Sequence, residues 1–203
     1  MFTYRHFKCK FDPVLAAFLL IVTMPLFFFL ALLVRLKLGS PILFKQLRAG
    51  FHEEPFYLYK FRSMTESFDR NGLPLPDERR LTPFGSWLRS TSLDELPSLF
   101  NILLGDLAFI GPRPLPTSYL PLYSPYELRR HSVLPGLTGL AQSKGRNLLS
   151  WRNRFRYDIF YTESFCLQLD LYILFLTFFK VIARHGISSI NSVTMLPFSG
   201  RSN

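Results

Sequence analysis

From Val14 to Val34 the chain runs for 21 residues without a charge, its apolar character interrupted only by Thr23 and Pro25. A continuous helix over that stretch would be about 31 Å long, enough to cross the hydrocarbon core of a bilayer. The run is too long for the apolar region of a cleaved signal peptide, and no small-x-small site follows before Arg35. Basic residues flank it on both sides, Arg5, Lys8 and Lys10 before it and Arg35 and Lys37 after. The positive-inside rule then gives no direction and is met most simply when both ends stay in the cytoplasm. Pro25 offers no N–H to the carbonyl of Ile21, and its ring clashes with that turn, which bends or breaks the helix. The Thr23 hydroxyl is placed to serve the freed carbonyl. A re-entrant helix bent at Pro25 fits these facts, a proline-kinked spanning helix fits them too, and at this level both stay open. A second apolar run, Leu171 to Phe179, is too short to span and reads as a core or interfacial helix.

Of the 203 residues, 24 are Lys or Arg and 14 are Asp or Glu, a net charge of +10 that calls for an anionic partner. A hydrophobic content of 48% excludes a disordered basic tail. No recognition helix, RNP-like strand or zinc spacing is present, so the charge points to membrane lipids or phosphates and not to nucleic acid. Cys9 and Cys166 are far apart and lack metal-type spacing, which reads as buried or incidental thiols, with acylation of Cys9 beside the apolar segment as the lesser alternative.

Pro41-Ile-Leu-Phe-Lys-Gln and Pro55-Phe-Tyr-Leu-Tyr-Lys-Phe-Arg are predicted as two strands of a hairpin. In the second, Tyr57, Tyr59 and Phe61 share one face and Leu58, Lys60 and Arg62 the other. Ser67 to Arg80 reads as a surface loop, and Pro83 to Arg89 as a short helical turn. Trp151, Phe155 and Ile159 recur at helical spacing with arginines interleaved; beside an apolar anchor this is expected to lie in the headgroup plane, the alternative being a core-facing helix. The Ser- and Asn-rich tail from Gly186 is expected to be loosely held. The fold class is thus mostly α with a small β-hairpin (α+β), an N-terminal membrane helix and interfacial amphipathic helices. The division is a membrane-anchoring helix over 1–37, a catalytic domain over 38–185 and a C-terminal tail over 186–203.

The segment richest in chemistry is Arg89-Ser-Thr-Ser-Leu-Asp-Glu-Leu-Pro-Ser-Leu-Phe-Asn. Pro97 is tolerated only in the first turn of a helix, so a helix carrying Leu96, Leu99, Phe100 and Leu103 starts near Asp94. Asp94 is then a natural N-cap, and Ser92 with Glu95 matches a capping box. The other reading is functional. A carboxylate at a helix N-terminus stays ionised and nucleophilic, and adjacent carboxylates can hold Mg²⁺ shared with substrate phosphates. Attack on a diphosphate also needs cations, for which Lys60, Arg62, Arg89, Arg113 in Gly111-Pro-Arg-Pro and Arg146 in Gly145-Arg-Asn are candidates.

Lys60-Phe-Arg-Ser-Met, Arg89-Ser-Thr-Ser-Leu-Asp-Glu-Leu-Pro, Gly105-Asp, Gly111-Pro-Arg-Pro, Pro135-Gly-Leu-Thr-Gly-Leu-Ala-Gln and Gly145-Arg-Asn follow one another as in the bacterial sugar transferase family. The chain resembles these monotopic polyprenyl-phosphate phosphoglycosyl transferases over nearly its whole length. It is most similar to the minimal members typified by PglC, which start protein N-glycosylation with UDP-N,N'-diacetylbacillosamine. The resemblance implies Asp94 as covalent nucleophile, Glu95 as its dyad partner, Mg²⁺ at both, and Lys60, Arg89 and Arg113 near the phosphates. It implies a UDP-sugar donor, undecaprenyl phosphate as acceptor, the cytoplasmic face of the inner membrane, and a helix that re-enters at Pro25. Ala108, Ser98 and Ser143-Lys144 depart from the common pattern; Lys144 lies nearest to where the sugar would be recognised. A non-catalytic lipid-binding adaptor, a nucleotide-sugar hydrolase and a UDP-hexose transferase for capsule or exopolysaccharide are the rival readings.

Overall fold

The computed structural model describes residues 2–145, 149–182 and 197–200. Helix α1, Phe2–Leu38, holds the whole apolar run and continues on both sides of Pro13 and Pro25. By length and composition it can cross a membrane, yet only 17% of its apolar window is buried in the protein, whereas the core helix of a soluble protein would be mostly buried. Phe18, Ile21, Val22, Phe28 and Phe29 all point outward. The Thr23 hydroxyl donates to the Leu19 carbonyl at 2.6 Å rather than serving Ile21, because a helical threonine reaches back four residues to its own turn.

Both ends of α1 are fastened to the same body. Near its start, Tyr4 donates to Asp170 Oδ2 at 2.7 Å, Lys8 pairs with the same oxygen, and Asp12 accepts from the Phe109 N–H at 3.1 Å. Near its end, Leu30 and Val34 are buried against Phe61 and Leu88. Arg62 donates to the Leu38 carbonyl and, at 2.8 Å, to the Ser40 carbonyl, meeting acceptors that the helix end leaves over.

Strands β1, Leu43–Ala49, and β2, Pro55–Phe61, form the expected antiparallel hairpin, with Leu43 opposite Phe61 and Ala49 opposite Pro55. The expected loop after it contains one helical turn, α2 (Asp77–Arg80). Helix α3, Pro83–Ser90, starts on Thr82, whose hydroxyl accepts from the Gly85 N–H at 3.0 Å. Helix α4, Ser98–Leu104, ends on Gly105, whose φ of 85° favours glycine. A second sheet that hydrophobic alternation did not reveal pairs β3, Ala108–Ile110, in parallel with β4, Gly136–Thr138. Strands this short carry no periodicity to read. The short helices α5 (Pro125–Leu128) and α6 (Leu140–Lys144) lead to α7, Trp151–Ser164, and α8, Leu167–Ile182.

Of the two readings open for the aromatic stripe, the core-facing one holds. Phe155 and Ile159 of α7 are each 1% exposed, so the aromatic stripe faces the core and not the headgroups. Helix α8 turns Leu171, Leu174, Phe175, Phe178 and Phe179 outward, in keeping with the interfacial one of its two readings. The reason is Asp158, which needs Arg130 inside the protein and draws that side of α7 inward. Within the segment expected to be a loose tail, Phe198 is 3% exposed, packed against Tyr119, Tyr123, Trp151 and Phe155.

Candidate active site

The two-stranded sheet leaves the outer edge of β2 without a third strand. Two buried side chains of α4 substitute for one. Asn101 donates to the Tyr57 carbonyl at 2.7 Å and accepts from the Tyr59 N–H at 3.0 Å, while Ser98 donates to the Tyr59 carbonyl at 2.8 Å. This latch sets the turn before α4 beside Lys60. That turn, a 3-10 segment over Leu93–Glu95, carries both carboxylates.

Asp94 is not a helix cap. Pro97 occupies the cap position of α4, and Ser92 sits at φ 58° with no side-chain capping bond, so the capping box is absent. Glu95 turns away from the backbone, and its Oε1 accepts from Lys60 Nζ at 2.5 Å and from Arg113 at 3.1 Å. Asp94, 8% exposed, is left facing Lys60, Arg89 and Arg113. Burial and the neighbouring Glu95 push the Asp94 carboxyl up to about 6, against the pull of those cations. Burial would push Glu95 up as well, but Lys60 and Arg113 outweigh it and hold that carboxyl down at about 2. The helix N-terminus that the sequence offered to keep Asp94 ionised is not what acts on it; burial and nearby charges do. The group remains ionised at neutral pH and is more basic than an ordinary carboxylate.

Arg113 owes its direction to a backbone crossing. A Cβ on Gly136 would lie 2.0 Å from the Gly111 nitrogen, and one on Gly111 would lie 2.4 Å from the Leu134 carbonyl oxygen. Only glycine admits that approach. Gly111 N–H donates to the Thr138 carbonyl and Gly136 N–H to the Pro112 carbonyl, each at 2.9 Å. The Gly111-Pro-Arg-Pro and Pro135-Gly-Leu-Thr-Gly segments are thus two sides of one joint. Arg130 anchors it, donating to the Arg113 carbonyl at 2.7 Å and, through Nε and Nη2, to Asp158 at 3.1 and 2.7 Å.

Arg89 reaches the site from α3, its Nε donating to Ser63 Oγ at 2.9 Å. The structure brings Lys60, Arg89 and Arg113 together with Asp94 and Glu95. It does not bring Arg62, which is committed to the end of α1 as described above and pairs with Glu66 at 3.6 Å. Arg146 lies outside the described residues.

Among the described residues no group of three or more His, Cys, Asp or Glu side chains could hold a metal. The donor set at the site is two adjacent carboxylates, with one oxygen of Glu95 already taken by two cations. Mg²⁺ commonly binds through one or two carboxylates and completes its shell with water and phosphate oxygens. Asp94 and Glu95 fit that pattern as half a site that a phosphate would complete.

Sequence reasoning missed Arg48, Ser63 and the Arg130–Asp158 pair. Arg48 donates to the Pro114 carbonyl at 3.1 Å and stands within electrostatic reach of Arg113 and Glu95. Carrying the strand alternation on to Ala49 would have drawn attention to it. Asp158, an acid among the apolar positions Phe155, Ile159 and Tyr161 of α7, was the available sign of a buried pair.

A family model described as "Bacterial sugar transferase" matches residues 3–184. The chain is 50% identical to an uncharacterized sugar transferase, EpsL, of Bacillus subtilis, over 95% of this chain and 96% of that protein. It is 40% identical to a UDP-glucose:undecaprenyl-phosphate glucose-1-phosphate transferase of Klebsiella pneumoniae, over 86% of this chain but only 40% of that longer protein. The exopolysaccharide production protein ExoY of Sinorhizobium fredii is 36% identical over 88% of this chain and 87% of its own length.

Proposed function

Since the chain belongs to the bacterial sugar transferase family, we propose that it moves a sugar phosphate from a UDP-sugar to undecaprenyl phosphate and releases UMP. The observation that carries this reading is the paired carboxylate site, in which Glu95 holds Lys60 and Arg113 in place while Asp94 stays unbridged and basic. The Asp94 carboxylate attacks the phosphorus that bears the sugar. The bond from that phosphorus to the UMP oxygen breaks, and the pair of electrons leaves with UMP. A polyprenyl phosphate oxygen then attacks the same phosphorus and frees the carboxylate. Lys60, Arg89 and Arg113 spread the charge that grows on the transferring and leaving phosphates. Mg²⁺, held by Asp94 and Glu95, would add charge neutralisation at those oxygens.

The donor sugar is the finer part of the reading. The resemblance to minimal family members points to UDP-N,N'-diacetylbacillosamine or a related N-acetylated amino sugar, for protein glycosylation. Relatives named for glucose and galactose, together with ExoY, favour a UDP-hexose and an exopolysaccharide role, while one named for N-acetylgalactosamine fits an N-acetylated amino sugar. Purified protein in detergent, given undecaprenyl phosphate, Mg²⁺ and a panel of these donors, is expected to release UMP and form a lipid-linked product with one of them. A chelator is expected to stop the release. Free sugar phosphate as product would identify a hydrolase, and no turnover with any donor would favour an adaptor.

The same reading places the protein at the cytoplasmic face of the bacterial inner membrane, with 1–37 re-entrant and 38–185 catalytic. Fastening of both ends of α1 to one body supports this, because a crossing helix would carry one end to the far side. The outward apolar faces of α1 and α8 support contact with lipid. Cys9, which is exposed, and a Lys37→Cys variant are expected to react with an impermeant thiol reagent from the same side of the membrane. Labelling from opposite sides would reject re-entrance.

A further inference from the structure

Beyond Glu95 the basic character of the site continues in one direction. Arg113 pairs with Glu95; Arg48 lies within electrostatic reach of both and is pinned to the Pro114 carbonyl of the Arg113 loop. Arg154 is 8% exposed, within electrostatic reach of Arg113, and its guanidinium lies over the Trp151 ring at 4.9 Å. Tyr119 stands near both Arg48 and Arg154, edge-on to Trp151 at 5.7 Å. Asp158 is bonded by Arg130 and also supports Arg154, and Glu95 is shared by Lys60 and Arg113, so cations outnumber carboxylates here. Arg48 Nε is buried and, among the described residues, bonded to nothing. Burial and the nearby Arg113 push the Arg48 guanidinium down to about 10, and burial does the same to Arg154. Closely set buried cations are costly unless an anion shares them.

This row leads away from the dyad by way of Glu95 and Arg113. Arg89 lies within electrostatic reach of Asp94 and Arg48 within reach of Glu95, and Lys60 and Arg113, both held by Glu95, act on the two carboxylates alike. A diphosphate ester laid across the dyad has two unlike halves. Its transferring phosphate must sit against Asp94, and its leaving phosphate must lie to one side.

We propose that the row Arg113, Arg48, Arg154, with Tyr119 and Trp151 beside it, binds the nucleoside monophosphate half of the donor, so that the nucleotide lies and departs on the Glu95 side while the sugar lies towards Arg89. The proposal rests on the transferase reading and adds to it the orientation of the donor. The cations meet the leaving phosphate, and the aromatic rings hold Arg154 in place beside it. A phosphate of the lipid acceptor has the same chemistry, and the experiment separates the two.

UMP affinity is measured by equilibrium dialysis on the full-length protein in detergent, for the wild type and for Arg48→Ala, Arg48→Lys and Arg154→Gln, alongside half-saturation by undecaprenyl phosphate. Arg48→Ala and Arg154→Gln are expected to weaken UMP about tenfold and to flatten its dependence on salt, with the acceptor value unchanged. Arg48→Lys should recover part of the loss, and it keeps the test alive if the alanine variant does not fold. A role confined to supporting the loop would lower turnover without moving the salt dependence, and that result overturns the proposal. Loss of acceptor affinity in place of UMP affinity overturns it too, as does failure of the wild type to bind UMP. UMP release in the donor panel judges the transferase reading separately.

Discussion

Asp94→Asn is expected to release no UMP from any UDP-sugar, a loss of about 10⁴-fold or more for removal of a nucleophile, and yet to be more stable than the wild type. The second half follows from where the group lies. Its carboxyl is raised from 3.8 to about 6, so the folded protein favours the protonated form. The stability this group contributes is fully present below about pH 4 and is lost as the pH rises through about 6. At neutral pH the wild type therefore carries an ionised carboxylate in a buried place, at a cost on the order of 2–3 kcal/mol. The amide keeps the shape without the charge. Thermal melting at pH 7 should rise in the variant, and the difference should vanish near pH 4. The same ionisation predicts the activity profile: kcat/KM for the donor should fall as the pH drops through about 6, because protonated Asp94 is no nucleophile. Near-normal turnover by the variant would sink the covalent mechanism. Lower stability at neutral pH would mean that Asp94 is a structural ion-pair partner.

Arg130→Met is expected to be among the most destabilising single changes in the chain, although Arg130 touches neither carboxylate of the dyad. Its side chain and that of Asp158 are 1% and 2% exposed, joined by bonds of 3.1 and 2.7 Å. Burial pushes the Asp158 carboxyl up and Arg130 opposes it. Without the arginine a buried carboxylate loses its partner, at about 3–5 kcal/mol. The Arg113 carbonyl loses a donor as well, so the loop that aims Arg113 at Glu95 should loosen. Denaturant melts in detergent should show the loss for Arg130→Met, and the double variant Arg130→Met/Asp158→Leu should regain much of it, because an apolar pair can fill the space without an unpaired charge. If the double variant is no more stable than the single one, the pair matters for reasons other than charge compensation.

Much of the candidate site was legible in the sequence, because its parts are short motifs whose residues lie close together along the chain. Asp94-Glu95, Lys60, Arg89 and the Gly111-Pro-Arg-Pro segment are all brought to one place, as their chemistry requires. The hairpin was legible from alternation and the membrane helix from an uncharged run. Failures arose where a local rule had two equally regular outcomes. A carboxylate before an apolar helix reads as a cap, and the cap is missing because Glu95 finds Lys60 and Arg113 instead of the backbone. An aromatic stripe edged with arginine reads as interfacial, and it turns inward because one arginine partner of α7 comes from a distant segment, Arg130.

What the sequence determined by itself is the class of molecule: a long uncharged helix, a basic surplus and a carboxylate pair among cations, all set by composition and by near neighbours. Only the tertiary structure decided which charges meet. It returned Arg62 to the end of α1, put Arg48 beside Arg113, crossed two glycine backbones to aim that arginine, and fastened both ends of α1 to one body. The physical reason is range. Helix and strand preferences act over a few residues, whereas the partner of a buried charge is chosen by whatever the fold brings within about 4 Å, where electrostatic energies are large enough to outweigh local preference.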